Sequence, residues 1–186
     1  MTLRSRAGLH TLALFVITAC CWVAPGGAQI RPPNPEAQRA AMEKLGFLVG
    51  SWKGESHSLD ASGELKPLVQ TEEVHYRLGG LVLEIEGVGR TRDGKVVSDV
   101  IAMYWFDQAA GTYRSRSFGS GGLFSETTVQ LAPEGKRISR SVGFGQATTS
   151  CVARIDEKGD WKELCETTVG SQPAVKSFDS TVSLQK

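Results

Sequence analysis

The sequence predicts an all-β domain, a roughly ten-stranded antiparallel up-and-down barrel with one short helix before it. Two observations carry this prediction. Short segments in which apolar and polar residues alternate follow one another at even spacing, separated by tight turns rich in Gly, Asp and Pro. After Leu45 no segment has a convincing helical period, so the chain beyond this point is assigned to strands and turns.

The first strand opens with Gly50-Ser51-Trp52-Lys53-Gly54. Glycines let a strand bend and let another backbone approach where a Cβ would obstruct it. Trp52 supplies a large apolar side chain, which suits the closing of one end of a barrel. A Gly-x-Trp-x-Gly motif at this position is typical of barrels that enclose a ligand, although it does not identify that ligand.

The N-terminal residues have the pattern of an export signal. Arg4 and Arg6 precede an apolar stretch over Leu9–Val23, which is too short and wrongly flanked for a membrane span. Signal peptidase I would cut after Ala28. Alternatively, Ile17-Thr18-Ala19-Cys20 fits a lipobox, in which Cys20 is acylated and becomes the first residue of a lipoprotein. Either route places the mature protein outside the cytoplasm, in a bacterial periplasm, on a membrane anchor or secreted.

The predicted organisation is a signal over residues 1–28, a Pro-rich linker over 29–35 and a single barrel domain over 36–186. Without the signal's two arginines the chain keeps 19 basic and 20 acidic residues. This near-neutral balance argues against nucleic acid as a partner. No later apolar run is long enough to cross a membrane.

Each element has a local signal. Asn34 and Pro35 suit the start of a helix over Glu36–Leu45, which would cover one barrel end. Turn residues then delimit the strands. The predicted strands are Trp52–Leu59, Pro67–Leu78, Leu81–Thr91, Val96–Phe106, Thr112–Phe118, Leu123–Leu131, Arg137–Gly143, Ala147–Ile155, Trp161–Val169 and Lys176–Leu184.

Two cysteines remain in the mature chain, Cys151 and Cys165. They flank a predicted hairpin whose turn centres on Lys158, and folding that hairpin places them directly opposite each other. Directly paired residues have Cβ atoms close enough for a disulfide, and an oxidising compartment favours the bond. The alternative is two buried free thiols, and we favour the disulfide.

Aromatic residues and one arginine are the candidates for a ligand-binding wall. Tyr104, Phe106 and Phe118 would line it, Trp52 would close one end, and Arg116 would meet a polar head group. Burial statistics favour an outward arginine, and a register slip of one residue reverses every one of these facings.

Signatures of catalysis and of metal binding are absent from the sequence. It contains no nucleophile elbow, metalloprotease helix, phosphate loop or dinucleotide motif. His57 and His75 have no Cys, Asp or Glu partner at metal-ligand spacing, so neither a metal nor another cofactor is predicted. Catalysis would require a titratable group inside the barrel, and the candidates are His57, His75, Glu84 and Glu86.

The mature chain resembles bacterial lipocalin-like families of unknown function, which are related in plan to calycins and nitrobindin-type barrels. The resemblance lies in the opening Phe47–Glu55, the Leu78–Glu84 hairpin, the Met103–Tyr113 turn and the late Trp161-Lys162-Glu163 strand. It implies a ten-stranded barrel that holds a small apolar or amphipathic ligand. Nitrobindins ligate haem through a histidine near the C-terminus, and Lys176–Leu184 contains none.

The predicted function is therefore binding of a small hydrophobic or amphipathic molecule by an exported barrel. One alternative is a packed barrel without a ligand that interacts with other components of the cell envelope. The other alternative is an enzyme that acts on a lipid-like substrate on the same scaffold.

Overall fold

The computed structural model describes residues 32–186. The predicted signal, the Cys20 lipidation site and the first residues of the linker lie outside this range. One helix, α1, spans Pro35–Glu43, and a short 3-10 turn at Gly46–Leu48 follows it. The ten strands are β1 Gly50–Leu59, β2 Leu65–Arg77, β3 Val82–Arg90, β4 Val96–Asp107, β5 Thr112–Gly119, β6 Phe124–Leu131, β7 Arg137–Phe144, β8 Ala147–Ile155, β9 Trp161–Val169 and β10 Val175–Leu184.

The strands form a closed antiparallel barrel in which each strand pairs with its neighbours in sequence. β1 also pairs with β10, over a register that runs from Trp52 opposite Leu184 to Ser58 opposite Phe178. The predicted all-β, ten-stranded up-and-down barrel is confirmed. Closure gives every strand two partners and removes the exposed edges that an open sheet would carry.

Helix α1 covers the barrel end at which the β2–β3 and β4–β5 turns lie. The Asn34 side chain caps its start by accepting a hydrogen bond from the Ala37 N–H, as the Asn-Pro pair predicts. The Arg39 side chain donates to the Gly79 carbonyl, and the Tyr113 hydroxyl donates to the Ala41 carbonyl. The helix therefore closes this end, which we call the helix end.

The hydrophobic core fills the helix half of the barrel. Met42, Leu45 and Leu48 are fully buried there. The strand residues packed with them include Trp52, Val74, Leu83, Tyr104, Tyr113, Val129, Ile138, Ala153, Trp161 and Val182. The other half is lined by smaller and more polar residues, and this difference divides the barrel into a packed half and a half that holds a cavity.

The β6–β7 pairing is the shortest in the barrel. Three residue pairs join these strands, Val129 with Arg140, Gln130 with Ser139 and Leu131 with Ile138. Beyond them the strands separate, and the Thr127 hydroxyl donates to the Ser141 carbonyl across the gap. A lateral cleft of about 340 Å³ lies along this seam.

The predicted cysteine pair is joined. Cys151 and Cys165 are direct partners in the β8–β9 register and form a disulfide across 14 positions of sequence. Both are buried and face the barrel interior, beside the cavity. The bond ties the two strands of one hairpin together on their inward face.

We expect the Cys151→Ala, Cys165→Ala double variant to lose about 3 kcal/mol of unfolding free energy, because the unfolded chain regains a loop. Urea denaturation measures the change. A reducing agent should destabilise the natural protein by a similar amount and leave the double variant unchanged. Equal stability of the natural protein with and without reductant would contradict this role.

Gly54 is a point of close approach between β1 and β10. A Cβ at this position would lie 2.1 Å from the Thr181 carbonyl oxygen and 2.8 Å from the Val182 Cα. These are backbone atoms of β10, so no side chain could move aside to make room. The second glycine of the Gly-x-Trp-x-Gly motif therefore serves barrel closure.

We expect Gly54→Ala to destabilise the fold by about 2 kcal/mol or more, because either β1 or β10 must shift. Gly143→Ala is the matched control, since Gly143 also lies in a strand and a Cβ there meets nothing within 4 Å. The control should change stability by less than about 1 kcal/mol. Comparable losses in the two variants, measured by urea denaturation, would contradict the close-approach explanation.

Candidate functional site

The candidate site is a cavity of about 380 Å³ inside the barrel. It begins beyond Tyr104 and Trp161 and extends away from α1, toward Leu123 in the β5–β6 turn and Ser98 near the start of β4. The volume lies at the lower end of the range found for small-molecule sites. The apolar part of its wall is formed by Ile85, Val100, Ala102, Leu123 and Phe178.

Trp161 lines the cavity and, with Trp52 packed against it, forms the floor that separates the cavity from the packed half. The rings of Trp52 and Trp161 meet edge to face, with centroids 5.8 Å apart, and both are almost fully buried. The Trp52 Nε1–H donates to the Leu48 carbonyl at 2.8 Å. This bond fixes the Trp52 ring against the segment that follows α1, so the helix end determines the position of the floor.

A row of hydrogen-bonded polar side chains crosses one wall of the interior. The Ser56 hydroxyl donates to Gln70 Oε1 at 3.0 Å, and Gln70 Nε2 donates to Glu72 Oε1 at 2.8 Å. Ser56 and Gln70 are buried. The side chain of Glu72 lines the cavity, and this accounts for the surface it retains.

Glycines on β3 make room for this row. Gly87 is the β3 partner of Glu72, and a Cβ there would lie 2.6 Å from Glu72 Oε2. A Cβ on Gly89, which is opposite Gln70, would lie 3.2 Å from Gln70 Oε1. The inward face of β3 thus changes character along the strand. Leu83 and Ile85 fill the core, whereas Gly87 and Gly89 leave space for polar side chains.

An ion pair stands on the facing wall. The Arg140 guanidinium on β7 is paired with the Glu163 carboxylate on β9. Both residues line the cavity together with Tyr104, and Arg140 also lines the lateral cleft. Burial opposes the charge of Arg140, but Glu163, Tyr104 and Glu72 together raise its pKa above the usual range.

Glu72 is a carboxylic acid in the site whose pKa is strongly raised. Burial raises its pKa to about 8, and the nearby Glu163 carboxylate adds to this rise. The Gln70 amide and Arg140 oppose it without cancelling it. At neutral pH the carboxyl group is therefore mostly protonated, although it can ionise within the physiological range.

The predicted ligand-wall residues separate into two groups. Tyr104 lines the cavity, whereas Trp52 and Phe106 are in the packed core and do not line it, Trp52 against Trp161 and Phe106 edge to face with Tyr113. Arg116 and Phe118 instead lie on the outer surface, where Arg116 is paired with Glu126 and Phe118 is 50% exposed. Placing those two in the wall was wrong, because the inward positions of β5 belong to Tyr113, Ser115 and Ser117.

The four titratable residues that the sequence offered as candidates for catalysis do not line the cavity. His57 pairs with Asp179, Glu84 pairs with Arg77, and His75 and Glu86 are exposed. The acids that do line the cavity are Glu72 and Glu163. The alternation of residues along β2 and β9 could have identified these two acids if it had been known which face of each strand points inward. On β9, for example, Trp161, Glu163 and Cys165 share one face.

Cys151, Glu163 and Cys165 also lie close together. The sulfur atoms of the two cysteines are bonded to each other, so they are not available as the thiolates that bind metal ions.

Within residues 32–186, no helix is both long and apolar enough to cross a bilayer.

Exposed apolar side chains surround the open end of the barrel, opposite α1. They belong to the turns and strand ends there: Leu59, Val96, Val97, Leu123, Phe124, Phe144, Val169 and Val175. These side chains make the open end partly apolar.

Comparison with solved structures shows the calycin or lipocalin-like fold. Rv2717c from M. tuberculosis superposes with a TM-score of 0.64 at 14% identity, covering 78% of this chain and 98% of its own. The S-type phycobiliprotein lyase CPES from Guillardia theta superposes with a TM-score of 0.51 at 12% identity, covering 83% and 99%. No protein-family model matches the sequence, and no curated protein matches it.

The raised pKa of Glu72 predicts a pH-dependent stability. The folded state keeps a proton on Glu72 between about pH 4.5 and 8, where the unfolded chain has lost it. Stability should therefore fall as pH rises through this window. In Glu72→Gln this contribution is absent, so its melting temperature should fall by several degrees less between pH 5 and pH 8.5.

Thermal unfolding at these two pH values measures the difference. Glu86→Gln is the matched control, because Glu86 is an exposed glutamate on the adjacent strand, and it should follow the natural protein. If Glu72→Gln shows the same pH dependence as the natural protein, Glu72 does not carry the raised pKa.

Proposed function

We propose that the protein binds a small amphipathic molecule inside the barrel. The observation that carries this proposal is the cavity of about 380 Å³, whose wall combines a few polar and charged side chains with apolar ones. A few placed polar groups in an otherwise apolar cavity are typical of small-molecule sites. The ligand would place its polar group near Tyr104, Glu72 and Arg140 and its apolar part near Val100, Leu123 and Phe178.

The division of the interior favours binding over the packed-barrel alternative. A barrel that served only as a scaffold could be filled throughout, as the helix half is. Here polar groups are buried on the open side, and burying them costs free energy. The exposed apolar residues around the opening also suit the entry of a partly hydrophobic ligand.

We also propose that the protein works outside the cytoplasm. Support comes from the export pattern of residues 1–28 and from the disulfide between Cys151 and Cys165, which suits an oxidising compartment.

We expect Val100→Trp to weaken ligand binding at least tenfold, because the larger side chain occupies the cavity. The uncharged fluorophore N-phenyl-1-naphthylamine serves as the probe, and its fluorescence titration gives the affinity. Ile101→Trp is the matched control, since Ile101 is the next residue of β4 and lies on the outer face, 43% exposed. The control should bind as the natural protein does.

Equal binding by Val100→Trp and the natural protein would place the probe outside the barrel and contradict the proposed site. Native mass spectrometry of protein purified from its own host, followed by organic extraction, would identify a natural ligand that remains bound.

A further inference from the structure

The charges inside the cavity balance only while Glu72 is protonated. Two carboxyl groups, Glu72 and Glu163, face one guanidinium, Arg140. Arg140 is already paired with Glu163. Among residues 32–186 no ion pair forms with Glu72, whose hydrogen bond comes from the neutral amide of Gln70 at 2.8 Å. Once ionised, Glu72 therefore lacks a positive partner of its own.

An unpaired carboxylate inside a barrel is costly, because burial removes its hydration. The surrounding structure nevertheless holds Glu72 in place. Gly87 leaves room for its two oxygens, and the Ser56–Gln70 pair supports it from the side. The site thus holds one carboxyl group, which is negatively charged once ionised, facing an open volume.

Aromatic side chains share this volume with Glu72. Tyr104 and Trp161 are at the floor, and Phe178 is on the wall beside Cys165. Aromatic rings attract a cation placed over their faces, and the attraction is larger where water is excluded. A carboxylate together with several aromatic rings is a combination that suits an ammonium group.

From this arrangement we infer that the polar group of the ligand is an organic cation, an amine or a quaternary ammonium, held between Glu72 and the aromatic floor. The inference rests on the proposed function and specifies the class of ligand. An anionic group would meet Glu72 and Glu163 while Arg140 is already engaged. A cationic group would neutralise Glu72, which once ionised has no positive partner of its own among residues 32–186.

The titratable groups that face Glu72 are Arg140 from β7, Glu163 from β9 and Tyr104 from β4. Its β1 and β3 partners, Trp52 and Gly87, do not titrate. Because Glu72 must ionise to pair with a cation, cation binding should strengthen as pH rises toward 8 and above. Binding of an anion should weaken over the same range.

Four probes with the same tail test the inference: octyltrimethylammonium, octylamine, octanol and octanoate. Isothermal titration calorimetry measures their affinities for the full barrel at pH 6 and pH 8.5. We expect the two cations to bind at least tenfold more tightly than octanol or octanoate at pH 8.5. Octyltrimethylammonium does not titrate, so any increase in its affinity between the two pH values reports on the protein.

Glu72→Gln should reduce the affinity for octyltrimethylammonium at least tenfold and leave octanol binding unchanged. Glu86→Gln, the exposed control on β3, should bind all four probes as the natural protein does. If Glu72→Gln does not fold, the pH dependence of octyltrimethylammonium binding to the natural protein decides the question. Octanoate binding as tightly as the cations, or cation affinity that is unaffected by pH or by Glu72→Gln, would overturn the inference.

The outcomes also separate this inference from the proposed function. If octanol or octanoate binds in competition with N-phenyl-1-naphthylamine and the cations do not, the barrel binds small molecules and the inferred charge is wrong. If none of the four probes nor the fluorophore binds, the proposed function fails as well.

Discussion

The edge-to-face contact between Trp52 and Trp161 is the interaction on which the rest of the interior depends. It joins β1 to β9, the two strands that flank β10, and the hydrogen bond from Trp52 to the Leu48 carbonyl connects it to the helix end. On one side of this floor the apolar side chains are close-packed. On the other side the walls remain apart. Trp161 belongs to the packed core and also lines the cavity, so the pair marks the boundary between the two.

Making room for the polar groups above this floor costs β3 some stability, and the neighbouring strands offset that loss. Gly87 and Gly89 remove two side chains from β3, and the space is taken by Glu72 and Gln70 from β2. Each β3 glycine weakens its own strand slightly. The loss is offset by pairing on both sides, since β2 and β4 flank β3 along most of its length. Closure of the barrel thus allows polar side chains to be held inside a small domain.

The sequence predicted the features that depend on neighbouring residues. Tight turns locate the strands, and the short turn between β8 and β9 fixes the register that places Cys151 opposite Cys165. The facing of β5 was less accessible, because its inward residues Ser115 and Ser117 are polar, as are the outward arginines. On the outer face these arginines pair with Glu126 on β6 across the adjacent hairpin. The meeting of Glu72 with Arg140 and Glu163 brings together three distant segments, so it could not be read from any one of them.

Pairing of β1 with β10 makes the first and last strands neighbours. More than 120 residues separate His57 from Asp179, which lie opposite each other in this register and share a hydrogen bond. Loop closure over such a separation has a large entropic cost, so we expect closure to follow the formation of the local hairpins. A chain still being synthesised would expose the β1 edge until its final segment emerged. The same pairing that leaves the finished barrel without edges therefore leaves the nascent chain with an unpaired one for most of its synthesis.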